Sequence, residues 1–350
     1  MRIWVDVLTP KQALFTKAML GRAPRDVELV ITSRDYSELN KFLFQIKLEH
    51  KSFGRHGGPT VQGKLEASID RMHELVPFVT DARPDCAISF ISPEAARVSF
   101  GLGLPHFICS DSPHAVAPCK LAIPLSTNVF TPFVIRKSRW TQYGINSSQV
   151  LSYHALDPWA WLLTENKKRV NATGQNIVLI RLEESYASYS KSGMGISEVL
   201  DGLVRVIKSK GDFEIIIIPR YDEQREWARE KFGKSCVVPA STVDGTDLIS
   251  NASLLIGGGG TMTQEAAILG VPNVSYFPSS HLDVFENYCF PKRLSVKATR
   301  PEELIRETSR LLSDIQKERS EFEARARKAV SNFEDPVKFV LNQVLEKAQK

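Results

Sequence analysis

The chain has 350 residues, 43% hydrophobic and 24% charged, with a net charge of +5. That length exceeds what one hydrophobic core usually fills, and the composition is that of a globular protein, not a disordered or fibrous one. The positive charge is spread without a dense Lys/Arg block interleaved with aromatics, which argues against a nucleic-acid partner, and no run reaches the roughly 18 apolar residues of a membrane span.

Short β-rich runs alternate with helical patterns. IWVDVL (3–8) reads as a strand, and PKQALFTKAML follows with helical spacing and Pro10 in its first turn. VELVIT (27–32) is the next strand, and a long helical stretch covers about 60–81. CAISFI (86–91) is a strand, PEAARVSFGLGLP a helix closed by Gly101 or Gly103, and HFICS (106–110) and NVFTPF (128–133) are two more strands. From Tyr153 to Gln175 a proline, two tryptophans and a polar run break the rhythm, which reads as the connection between domains. The alternation restarts with NIVLIRL (176–182), a helix near 196–209, FEIIIIP (213–219), a helix near 222–232 and SLLIGG (253–258). From about 301 to 349 the chain is charged and helical, interrupted by Pro336; it is either a solvated tail or a segment that packs back on the first half. Strands alternating with helices predict two α/β halves, each with a parallel sheet.

The five cysteines (Cys86, Cys109, Cys119, Cys236, Cys289) are scattered and lack Cys-x-x-Cys spacing. They read as reduced, mostly buried thiols of a cytoplasmic protein. The opening MRIWVDVLTP reads as strand and turn, without a signal-peptide hydrophobic region.

The most informative stretch is LLIGGGGTMTQEAAILGVP (254–272), an apolar strand that runs into four glycines and then a helix. A helix N-terminus has unpaired N–H groups and partial positive charge, which suits a phosphate, and glycines let it approach. Thr261 and Thr263 can donate hydroxyls, and Glu265, a turn in, can accept from two adjacent ribose hydroxyls. The alternative is a tight strand–helix turn packed on a neighbour. No Gly-Lys-Thr/Ser follows, so this is not a Walker loop.

GGGGTMTQEAAILGVP resembles the donor-site signature of GT-B-fold enzymes, the glycosyltransferases and the non-hydrolysing UDP-N-acetylglucosamine 2-epimerases. More narrowly, the chain resembles the DUF354 family, found mainly in archaea. RIWVDVLTPKQALF, TSRDY, GRHGG, ISPEAARVSFGLGLPH, SDSPHA, RLEES and the glycine loop carry that likeness. The resemblance implies an α/β, GT-B-like fold, with two Rossmann-like domains whose parallel sheets face across a cleft. The expected domains are 1–155 on the acceptor side, 156–332 for the nucleotide sugar, and a helix at 333–350 packing back on the first. By matching position, Gly258, Gly259, Gly260 and Thr261 would hold a diphosphate and Glu265 the ribose. His281 and Asp283 would lie on the sugar side.

Two departures separate the chain from the epimerases. Their His-Arg-x-Glu-Asn motif is matched by Ile180-Arg181-Leu182-Glu183-Glu184, which loses the histidine. Their Gly-Thr-Arg-Pro-Glu run is replaced by Leu8-Thr9-Pro10-Lys11-Gln12. Arg181, Glu183, Glu184 and Arg220 remain candidate substrate contacts, with the arginines as counter-charge or as partners of nearby acids.

In open α/β sheets ligands bind beyond the carboxyl ends of the strands. Lys11 follows the first strand there, as a phosphate or acceptor contact or an exposed helix-start lysine. Arg34 follows the second, where Ser33 or Asp35 alternatively caps a helix. His56, flanked by glycines in Gly54-Arg55-His56-Gly57-Gly58, has a flexible backbone and an accessible imidazole on this reading, suited to proton removal near neutral pH. Its alternative is a surface loop. Glu94 opens a helix as base or helix-start acid, and Asp111 either orients His114 or caps a turn.

The leading expectation is metal-independent glycosyl transfer from a nucleotide sugar, UDP-linked by family association, with His56, Glu94 or His114 as base. The alternatives are a nucleotide-sugar epimerase or hydrolase, and a non-catalytic nucleotide-sugar-binding protein. The acceptor would be a glycan or lipid-linked. FVIRKSRW (133–140) is either a peripheral membrane contact at the inner face or an ordinary strand–helix junction. The seven histidines are dispersed, and no metal or other cofactor is expected.

Overall fold

A computed structural model describes residues 1–58, 60–163, 176–183, 195–240, 245–277 and 282–348. The chain divides into two compact units, Met1–Glu165 with Phe333–Lys350, and Asn166–Asn332.

The first unit holds seven strands: β1 (Arg2–Val7), β2 (Glu28–Asp35), β3 (Lys51–Arg55), β4 (Cys86–Ser89), β5 (His106–Cys109), β6 (Asn128–Pro132) and β7 (Val150–Tyr153). They form a parallel sheet in the order β3-β2-β1-β4-β5-β6-β7. The run IWVDV is buried along its length, as a central parallel strand covered on both faces must be. Because β1 and β4 are neighbours, the connections leave in opposite directions at that point, which opens a crevice at their carboxyl ends. Helices begin where the sequence supplies caps: Thr9, Thr60 and Ser92 side chains accept N–H bonds at the starts of Pro10–Leu20, Val61–Ala82 and Pro93–Gly101. The turn after Pro93–Gly101 is made by Gly103, at φ +71.

Two strands depart from the sequence pattern. Tyr153, expected in the interdomain connection, ends β7. β3 is KSFGR, polar and exposed along one edge. Its pairing with β2 shifts register between Ser33 and Asp35, because β3 carries one extra residue there, and Gly54 adopts φ +65.

The second unit holds β8 (Ile177–Arg181), β9 (Glu214–Ile218), β10 (Leu254–Gly257), β11 (Asn273–Tyr276) and β12 (Val296–Ala298), parallel in the order β12-β11-β10-β8-β9. The reversal falls between β8 and β10. One face is covered by the helices Ile196–Lys208, Asp222–Phe232 and Pro301–Ser313, through Leu200, Leu203, Phe232, Leu304 and Leu311. The other is covered by Gly245–Asn251 and Thr261–Leu269, through Ile249 and Ala266.

The charged C-terminal region is three helices. Asp314 ends Pro301–Ser313 and caps Ile315–Val330 by accepting from Lys317 N–H. A β-carbon on Gly270, the C-cap of Thr261–Leu269, would fall 2.7 Å from Glu323 Cα. Thus Ile315–Val330 packs within the second unit, close against the end of the glycine-loop helix. Pro336–Ala348 belongs to the first unit. Arg22 Nε pairs with Asp335 at 2.6 Å, and the Phe333 ring packs among Phe133, His154 and Trp159. Among the described residues, no helix is long and apolar enough to cross a membrane.

Candidate functional site

The glycine loop sits at the carboxyl end of β10, at the reversal point of the second sheet, where ligands of such sheets bind. Its four glycines do different work. A β-carbon on Gly257 would lie 2.7 Å from Thr263 Oγ1. One on Gly259, at φ +72, would lie 2.4 Å from Leu282 Cδ1 and 3.0 Å from Ser275 Oγ. Both positions must be glycine for packing alone. Gly258 is different: its φ is ordinary and the nearest atom to a β-carbon is the Tyr276 carbonyl oxygen, at 3.8 Å. At Gly260 the nearest atom is Arg220 Nη2, at 3.4 Å, the far end of a long side chain. Packing therefore accounts for two glycines and leaves two unexplained.

Gly260 is the N-cap of Thr261–Leu269 and offers no side-chain cap of its own. The Gly260 carbonyl accepts from the N–H groups of Thr263 and Gln264. Thr261 opens the helix. Glu265, one turn in, is only 2% exposed, and its Oε1 accepts from Thr246 Oγ1 at 3.3 Å. The buried hydroxyl of Thr246 is a positioning partner that no sequence signal indicated.

The register of β8 with β10 sets Arg181 beside Gly257, with a β-carbon on the glycine 3.7 Å from Arg181 Cβ. Arg181 Nη1 donates to the Pro219 carbonyl, and Arg220 Nε donates to the Leu182 carbonyl at 3.2 Å. Arg181 thus starts beside the loop and reaches toward the end of β9, while the Arg220 guanidinium stands beside Gly260. Glu183 is engaged elsewhere: its carboxylate accepts from the N–H and hydroxyl of Ser197, capping Ile196–Lys208. Leu282 packs on Gly259, and its neighbour Asp283 is buried. Glu184 and His281 lie outside the described residues.

In the first unit a charged cluster fills the carboxyl ends of β1, β2 and β4. Arg71, on the long helix, donates to both oxygens of Asp6, at 2.6 and 3.1 Å. Burial alone would raise the Asp6 carboxyl, but Arg71 outweighs it and holds the group below its ordinary value. Arg71 Nη1 also lies 3.7 Å from Glu94 Oε2, which accepts from the Ser92 hydroxyl. Arg34 lies in the same field, and burial depresses its pKa despite Glu94. Neither Asp6 nor Arg71 was expected at the site.

His56 adjoins this cluster, its ring tilted against Tyr36 at 5.2 Å between centroids. The loop around it was expected to be flexible, but two of its glycines, Gly54 and Gly57, are required by close packing. A β-carbon on Gly54 would lie 2.6 Å from Arg71 Cβ, and one on Gly57 2.5 Å from Lys64 Cα. His56 Nδ1 accepts from Gly58 N–H at 3.1 Å. In the neutral ring the proton then sits on Nε2, so His56 presents a donor. Burial and the positive charges of Arg34 and Lys64 hold its pKa below the ordinary value.

Lys11 is clamped between Asp111 and Asp157, at 2.6 and 2.7 Å. Burial disfavours its charge, but the two carboxylates more than compensate and keep it a cation. Asp157 also accepts from the Tyr153 hydroxyl, and Asp111 from the Ser112 hydroxyl. His114 lies in the turn before Val116–Ala122, its carbonyl accepting from Val116 N–H. Among the described residues, no cluster of three His, Cys, Asp or Glu could hold a metal ion.

Over residues 1–349 the chain matches the family model described as "Protein of unknown function (DUF354)", and it belongs to that family. An uncharacterized protein of Methanocaldococcus jannaschii is 26% identical over 318 residues, covering 87% of this chain and 89% of that one. Solved structures with the same architecture include the UDP-GlcNAc 2-epimerase of Neisseria meningitidis bound to UDP-GlcNAc, at TM-score 0.74, 15% identity and coverage of 99% and 100% of the two chains. The M. jannaschii UDP-GlcNAc 2-epimerase in complex with UDP-GlcNAc and UDP has TM-score 0.68, 16% identity and coverage of 99% and 100%. A spinosyn rhamnosyltransferase complexed with spinosyn aglycone has TM-score 0.64, 13% identity and coverage of 99% and 100%. The fold is GT-B.

Proposed function

We propose that this chain binds a nucleotide-activated sugar at the glycine loop of its second unit and transfers the sugar, without a metal, to an acceptor recognised by its first unit. The observation that carries this reading is the pair Gly258 and Gly260. Neither is held to glycine by close packing, yet both lie where a bare backbone and a helix start with a glycine N-cap face the reversal point of the sheet. A diphosphate suits that place, with N–H groups as donors and Arg220 as counter-charge. The same positive charge would stabilise the leaving diphosphate as the sugar departs. Glu265, oriented by Thr246, would accept from the ribose hydroxyls. Glu94 is the base to test first, because His56 is oriented as a donor. A uridine nucleotide is the first to test, since UDP-GlcNAc and UDP are what the epimerases of similar fold bind.

The second reading is a nucleotide-sugar epimerase or hydrolase. It is supported by the TM-scores of 0.74 and 0.68 for the two epimerases. It is opposed by the run Ile180-Arg181-Leu182-Glu183, which has no histidine and whose glutamate caps a helix.

Incubation with UDP-GlcNAc and other UDP-sugars, with and without glycan and lipid-linked acceptors, and NMR of the products separates these readings. Transfer predicts UDP release only with acceptor, undiminished by EDTA. An isomer or a free sugar formed without acceptor would support the second reading. Binding with no turnover in any arm would leave a nucleotide-sugar-binding protein.

A further inference from the structure

Arg34 is partly buried, and among the described residues no ion pair or hydrogen bond accounts for the position of its guanidinium. It stands at the carboxyl end of β2, the strand beside β1 in a doubly wound sheet. The two nearby carboxylates are both engaged by Arg71. Asp6 is bound to it through both oxygens and also accepts from Thr32, and Glu94 lies within ion-pair distance of it. Among the described residues Arg34 has no ion pair, and its buried Nε has no hydrogen-bond partner. A buried guanidinium N–H without an acceptor is costly and is ordinarily kept for a ligand or a partner.

A second donor lies at the same strand edge, the His56 ring packing on Tyr36, two residues beyond Arg34. The His56 backbone N–H donates to the Asp35 carbonyl at 3.2 Å, and its ring accepts from Gly58 N–H on Nδ1, so the Nε2–H is the group left to present. The extra residue in β3 at Gly54 sets the register that brings this edge next to Arg34. Lys64 adds positive charge to the field at His56. In doubly wound sheets the end of the second strand is a place where an arginine accommodates a phosphate.

We propose that Arg34 and His56 form a subsite for a phosphoryl oxyanion at the β2–β3 edge of the first unit, with the guanidinium of Arg34 and the Nε2–H of His56 as donors. The shared chemistry is a tetrahedral oxyanion, either free inorganic phosphate or the phosphate monoester of a larger molecule. The inference does not depend on the glycine-loop reading.

The test is isothermal titration of the full chain with inorganic phosphate and with glycerol 3-phosphate at low ionic strength. It is accompanied by NMR of ¹⁵N-labelled histidine rings. Saturable binding by the wild type is expected, weakened about tenfold or more by Arg34→Gln, less by Arg34→Lys, and unchanged by Arg220→Gln, which removes the counter-charge at the glycine loop. Phosphate should also shift the His56 Nε2 resonance and raise the pKa of that ring, a readout on the wild type that stands even if Arg34→Gln does not fold. Equal affinity for the two probes identifies free phosphate as the ligand, and tighter binding of glycerol 3-phosphate identifies a monoester. The proposal is overturned if the wild type binds neither probe, if the His56 resonance does not move, or if Arg220→Gln abolishes binding while Arg34→Gln retains it. The last result would assign the anion to the glycine loop.

Discussion

Arg71 on the helix Val61–Ala82 holds Asp6 on β1 by two hydrogen bonds, and both side chains are almost wholly out of water. Asp6→Asn removes the anion and leaves a buried arginine without its main partner. The expected loss is about 3–5 kcal/mol of first-unit stability. Urea unfolding followed by tryptophan fluorescence measures it. A loss under about 1 kcal/mol would show that the cluster is not structural and that Arg71 is held chiefly by Phe53, Ser33 and Glu94.

His106 is buried and bonded to the Ser89 hydroxyl, and burial lowers its pKa to about 4 from 6.5. A folded-state pKa below the unfolded one means that the unfolded chain takes up a proton the folded chain refuses. Its contribution is therefore complete above pH 6.5 and is lost as the pH falls toward 4. The expected slope across that window is up to about 1.4 kcal/mol per pH unit from this group. Urea titrations at several pH values should show that slope in the wild type and a shallower one in His106→Gln. Equal slopes would remove His106 as the cause.

The glycines separate into folding and binding positions. Gly259→Ala forces a left-handed backbone and a collision with Leu282, and should cost about 2 kcal/mol or more. Gly258→Ala meets no close contact and should fold within about 0.5 kcal/mol of wild type while weakening nucleotide binding at least about tenfold. Chemical denaturation and calorimetric titration of both variants check this. Reversal of the two outcomes would make the loop a packing turn.

Glu183 caps the helix Ile196–Lys208. Glu183→Ala should cost roughly 1 kcal/mol of stability and leave nucleotide affinity within about twofold. Loss of binding without loss of stability would return this residue to the ligand.

Much of the second unit was legible because its signals are local. The apolar run before Gly257, the glycines and the helix pattern after Thr261 lie in one stretch of chain. What separates Gly258 from Gly259 is not local, since it depends on Leu282 and Ser275. The role of Glu183 was hidden similarly, because its partner Ser197 lies beyond a stretch of sequence without a pattern. In the first unit β3 escaped notice because KSFGR is an edge strand with a glycine at its register shift. The glycines beside His56 suggested mobility, while the structure uses Gly54 and Gly57 to bring the chain onto Arg71 and Lys64. Asp6, a charge inside the apolar run IWVDVL, was the available signal for the buried cluster, and Asp157 beside Leu156 was the same signal for the clamp on Lys11.

Whether the glycine loop with Glu265 holds a nucleotide diphosphate is decided by a thermal-shift panel of UDP, GDP, CDP, dTDP and their common sugar conjugates. At about 100 times its dissociation constant a ligand adds roughly 2.7 kcal/mol of stability. The account predicts that one nucleotide raises the midpoint of the wild type and that Glu265→Ala loses most of the increase. A panel with no effect on wild type, or an equal shift in wild type and Glu265→Ala, would contradict it.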